Sequence, residues 1–82
     1  MATERLITRD EVALHGSLDD GWTVIHGVVY ALPLRFLNSH PGGTGAVLPA
    51  LGDDGTDIFT SHHHSGSSLQ QLETFKIGRV IE

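Results

Sequence analysis

Hydrophobic and polar positions along the chain change period several times, and each change predicts an element. Leu6 and Ile7 form a short apolar pair that reads as a strand. Thr8 follows, with Glu11 three residues on. That is capping-box spacing, and it predicts a short helix with Val12 and Leu14 on one side. Residues 16–21 read as a polar turn. The β-rich runs 22–26 and 28–32 flank Gly27 and predict a hairpin with a tight turn. Pro33 closes the second strand, and residues 34–37 make one helical turn.

Beyond Leu37 the pattern becomes helix and loop. Residues 38–43 are a loop and 44–51 a short apolar helix, shortened or kinked by Pro49. Residues 52–55 are a turn. Asp54 and Asp57 have helix N-terminal spacing ahead of Ile58 and Phe59. Residues 61–64 are a second loop. Ser65 is placed to cap a last helix through Leu69 and Leu72, and residues 75–81 alternate as a final strand. The expected class is α+β: a small mixed sheet from both ends of the chain, flooring two helix–loop–helix pairs.

Length changes this picture more than charge does. An 82-residue chain makes one domain, residues 1–82. A domain of this size buries only about 60% of its unfolded surface. Its apolar share of 39% suits a globular chain. The absence of cysteine excludes a disulfide framework and thiolate metal sites. Ten acidic residues against five basic ones argue against nucleic acid as a partner. No segment has the length or apolarity of a signal peptide or membrane anchor. The expectation is a cytoplasmic or otherwise soluble domain, free-standing or part of a larger protein. Six histidines in so small a core point to a metal or cofactor.

The histidines cluster in the two loops. His40 precedes Pro41, which holds it in extended backbone, and Gly42 and Gly43 permit a close backbone approach. The second loop offers His62, His63 and His64. Imidazoles on facing helical hairpins can grip a flat ligand from both sides, whereas two alone do not complete a tetrahedral zinc site. Successive helical residues point roughly 100° apart, so only one of the three would face a shared metal. His15, His26 and Trp22 read as ordinary helix-end, hairpin and packing residues. Asp53 and Asp54 read as helix-capping groups before docking groups.

With these residues in place, the chain resembles the cytochrome b5 family over nearly its whole length. The resemblance rests on His40-Pro41-Gly42-Gly43, on Trp22 with Tyr30-Ala31-Leu32 upstream, and on Gly52 to Thr56, Phe59, His64-Ser65 and Phe75 to Gly78 downstream. It implies a cytochrome b5-like fold in which two helical pairs hold haem b, and an electron carrier rather than an enzyme. His40 and His64 would be the axial ligands, with His62 and His63 as alternatives to His64. Ile25, Leu32, Phe36, Val47, Phe59 and Phe75 would line the pocket, and Ser65 would contact a propionate. Two neutral imidazoles leave no open iron position, which suits one-electron transfer. Lack of a Cys-x-x-Cys-His motif fits haem b rather than attached haem. The resemblance implies a monomer between a flavoprotein reductase and a haem or non-haem iron acceptor. Gly45, Pro49 and Ser61 stand where relatives often carry docking acids. A ligand-binding module of the same fold, and a divalent-metal site on the triple histidine, are the competing readings.

Overall fold

The computed structural model describes residues 5–38, 44–60 and 66–81. The chain begins with β1 (Leu6–Thr8), α1 (Arg9–Ala13) and β2 (Gly16–Ser17). The hairpin β3 (Asp20–Ile25) and β4 (Val28–Leu32) follows. Then come α2 (Leu34–Asn38), α3 (Thr44–Val47) running into a 3-10 turn (Leu48–Ala50), and β5 (Asp53–Asp54). The chain continues through α4 (Thr56–Thr60) and α5 (Gly66–Glu73) to β6 (Lys76–Ile81).

The strands form one mixed sheet in the order β1-β6-β4-β3-β2, with β5 also on β3. β1 runs parallel to β6, and β5 parallel to β3. The other pairings are antiparallel. The central hairpin turns at His26 and Gly27, whose φ angles of 51° and 78° are both left-handed. Such turns match the strand twist, and glycine adopts this backbone without strain. The expected hairpin is thus present, with His26 sharing the turn.

Strand alternation sends side chains to two cores. Ile7, Val12, Val24, Val29 and Val80 are buried together on one face, with Trp22 and Ile77 packed against them. Ile25, Leu32, Leu37, Val47, Leu51 and Leu72 form the second core. Trp22 closes the edge of the first core. His15 stacks on it at 3.7 Å between centroids and 11° between planes, and the Arg5 guanidinium lies 5.4 Å from the ring centre. His15 Nδ1 donates to both Asp20 carboxylate oxygens, at 2.8 and 2.9 Å. An ionised carboxylate can only accept, so the hydrogen sits on Nδ1.

Several local expectations hold and several do not. Thr8 caps α1: its hydroxyl accepts from the Glu11 N–H at 3.1 Å. The Glu11 carboxylate meets Arg5 at 2.8 Å. Val12 is buried but Leu14 is 79% exposed, because the helix ends at Ala13 before a second apolar position comes round. The stretch read as a polar turn is a narrow hairpin, pairing Gly16 with Gly21 and Ser17 with Asp20. Pro49 converts the end of α3 into a 3-10 turn, as a missing N–H in a short helix should. Asp53 and Asp54 form a strand on β3 rather than the expected turn. The Gly52 and Gly55 N–H groups fasten it by donating to the Trp22 and Val24 carbonyls, at 2.6 and 2.7 Å. Gly78 is fixed by close approach, since a Cβ there would collide with the Arg5 carbonyl.

Two stability predictions follow from this packing. Leu37 is fully buried in the second core. Leu37→Ala should cost about 3 kcal/mol, read as a lower urea midpoint followed by Trp22 fluorescence. Asp54 is held below the usual carboxylate range, first by its bonds from Thr56 and then by Arg9. Its contribution is present above the unfolded carboxylate value and is lost as pH falls through the depressed folded value. Asp54→Asn should therefore destabilise the protein at neutral pH and flatten the acid limb of its stability profile. An unchanged acid limb would show that this carboxylate is not the group titrating there.

Candidate haem pocket

The second core is where sequence and geometry meet. β3 supplies Ile25 and β4 supplies Leu32, both buried, and α3 supplies Val47, also buried. Ile25 and Leu32 lie on one side of the sheet because alternate strand residues share a face, and α3 packs Val47 against that side. Phe36 from α2, Phe59 from α4 and Phe75 beside β6 pack against the same cluster but remain partly exposed. Phe36 and Phe75 meet edge to face at 5.1 Å and 65°. The Arg35 guanidinium lies 5.9 Å from the Phe75 ring centre.

All six apolar residues expected to line a pocket therefore belong to one cluster. Five further residues belong to it beyond those expected: Leu37, Leu51 and Leu72 in the buried core, and Leu18 and Tyr30 packed against it. Tyr30 was accessible to alternation, since it shares a strand face with Leu32. Leu72, an apolar position of the last helix, enters the same cluster. Burial, followed by the Glu73 charge, raises the Tyr30 phenol above its usual range, so it stays neutral at physiological pH.

The expected ligands His40 and His64, the alternatives His62 and His63, and Ser65 all lie outside the described residues. Their place in the chain is nonetheless informative. Residues 39–43 join α2 to α3, and residues 61–65 join α4 to α5. Both histidine segments thus connect helices that contribute side chains to the apolar cluster.

The residues present fit a flat apolar cofactor with a metal centre. Three phenylalanines keep part of their surface exposed beside aliphatic side chains that are almost fully covered. Among the described residues, no buried side-chain nitrogen or oxygen lacks a hydrogen-bond partner, so these walls present no unmet polar demand to an apolar ring. The imidazoles in the connecting segments are suitable donors for iron. Among the described residues, no helix is long and apolar enough to cross a membrane.

Comparison with known proteins agrees with this geometry. The family model described as "Cytochrome b5-like Heme/Steroid binding domain" matches residues 8–81. Cytochrome b5 of Drosophila melanogaster is 36% identical over 95% of this chain and 58% of its own length. An inducible NADH nitrate reductase of Glycine max is 40% identical over 95% of this chain, which spans only 8% of that protein. The solved structure of Ectothiorhodospira vacuolata cytochrome b558, described as a prokaryotic homologue of cytochrome b5, superposes with a TM-score of 0.83. It is 34% identical and covers 94% of this chain and 99% of that one. The chain belongs to the cytochrome b5-like haem/steroid binding family, as a haem b electron-transfer domain with the α+β fold of cytochrome b5.

Proposed function

We propose that residues 1–82 form a single bis-histidine domain that carries one electron at a time, with His40 and His64 as its iron ligands. The apolar cluster carries this reading, because the helices around it are joined by the two histidine segments. When bound, haem b supplies a one-electron ferric–ferrous couple. Ile25, Leu32 and Val47 would exclude water from one part of the pocket, and Phe36, Phe59 and Phe75 would cover the ring. Ser65 would hold a propionate at the pocket mouth. Burial and hydrogen bonding around the ligands set the potential in such sites. Two protein ligands keep small molecules off the metal, which favours transfer over oxygen chemistry.

The donor in this reading is a flavoprotein reductase, and the acceptor is a haem or non-haem iron protein. The soybean relative is a nitrate reductase of which this chain spans a small part. That supports a second arrangement, in which the domain passes electrons inside a larger redox protein. In either arrangement the domain acts as a monomeric module.

An absorption spectrum tests the cofactor and ligands together. The purified protein should be red and low-spin, with bands that sharpen on reduction. His40→Ala and His64→Ala should each abolish the six-coordinate spectrum, while His62→Ala and His63→Ala should preserve it. A low-spin spectrum surviving in His64→Ala would transfer the second ligand to a neighbouring histidine. A colourless protein that takes up no added haemin would end the electron-carrier reading.

Acid should release the cofactor, because imidazole binds metal only when deprotonated. Haem retention measured through an acid titration, well below the imidazole range, would rule out ligation by these histidines.

A further inference from the structure

The tight turn of the central hairpin does more than reverse the chain. In a two-residue hairpin loop, the N–H of the first loop residue is left out of the strand ladder. Here that residue is His26, held at φ 51°. Its N–H donates to the Thr56 hydroxyl at 2.9 Å. Thr56 is the first residue of α4, the helix that carries Phe59. Its own N–H donates to the Asp54 carboxylate at 2.9 Å, and that carboxylate also meets Arg9 at 3.3 Å. Directly before it, the Gly55 N–H donates to the Val24 carbonyl.

We propose that Thr56 is a positioning residue for the haem pocket: its hydroxyl, bonded to His26 and to Asp54, fixes the Phe59-bearing helix against the strand that supplies Ile25. The two residues are 30 positions apart in sequence, and the bond ties the turn directly after Ile25 to the helix that carries Phe59. α4 has only five residues and none of them is fully buried, so packing alone holds it weakly. Its orientation then depends on the polar ties at its first turn. The hydroxyl is also the correct chemistry for the place. It accepts from a backbone N–H that the ladder cannot satisfy, while the Thr56 backbone N–H is used by Asp54.

This inference rests on the haem reading above, and its test separates the two. Thr56→Val keeps the shape and removes the hydroxyl with its bonds to His26 and Asp54, whereas Thr56→Ser keeps the hydroxyl. Haem-loaded proteins are mixed with excess apomyoglobin at neutral pH, and transfer is followed by absorbance. Losing the hydroxyl, with its bond from His26 and its bond to Asp54, should speed haem loss by about five- to tenfold in Thr56→Val. Thr56→Ser should stay within about twofold of the parent, because its bonds survive. Val29→Ala, in the core on the other sheet face, controls for general destabilisation. It should lower the urea midpoint at least as much as Thr56→Val while leaving haem loss near the parent rate.

Parental haem loss in Thr56→Val would overturn the proposal. So would equal acceleration by Val29→Ala, failure of Thr56→Ser to restore retention, or a Thr56→Val protein that does not fold. The last would make Thr56 a support of the whole fold. Failure of the haem reading looks different: the parent protein would then lack the low-spin six-coordinate spectrum, whatever Thr56 does.

Discussion

The hairpin of β3 and β4 is the constraint on which the rest depends. Its strict alternation assigns Val24 and Val29 to one core and Ile25, Leu32 and Tyr30 to the other. A one-residue slip would exchange the two sets, so the register in which Val24 faces Val29 and Ile25 faces Val28 decides both cores at once. The left-handed turn at His26 and Gly27 fixes that register. β6 then joins β4, and the Val80 N–H donates to the Gly27 carbonyl at 2.8 Å, so the far end of the chain is locked to the same turn.

The two cores have different tasks. The valine-rich one is closed by α1, β1 and the Trp22 stack, and its central residues are almost fully covered. The other mixes covered aliphatics with partly exposed phenylalanines. For a domain this short, completing a core with a bound ring is an alternative to completing it with more chain. Binding to the native state alone then stabilises the fold by mass action, so cofactor affinity and folding stability become linked quantities. This places unusual weight on the short helices α2, α3 and α4. None is long enough to be stable by itself, and each is held by what it packs against and by its end contacts.

What was legible in the sequence follows the range of the forces involved. The Thr8 cap, the Gly27 turn, the stop at Pro33 and the break at Pro49 are local, and each was readable from a few neighbouring residues. The six apolar pocket residues were identified through family resemblance, and the structure gathers them in one cluster. Leu14 misled because helical periodicity assumes a helix long enough to repeat, and α1 is five residues long. Gly16–Ser17 and Asp53–Asp54 were missed as strands because such residues have little strand preference. Both lie on the outer edge of β3, and pairing with that strand decides their conformation. Leu37 and Leu51 were equally hidden, since only the packed helices show which core they enter.

The edge of β3 also clarifies the role of Asp53 and Asp54. Asp54 accepts from Thr56 and meets Arg9, so its charge is committed to the start of α4. Asp53 accepts from the Asp54 N–H through its side chain and from the Thr23 hydroxyl through its carbonyl. These two acids therefore act first as structural groups that join the hairpin to a pocket helix. The net charge of −5 still gives the domain a negative field toward a basic partner. That field is diffuse, and the local acids near the hairpin are not free to rearrange around an incoming surface.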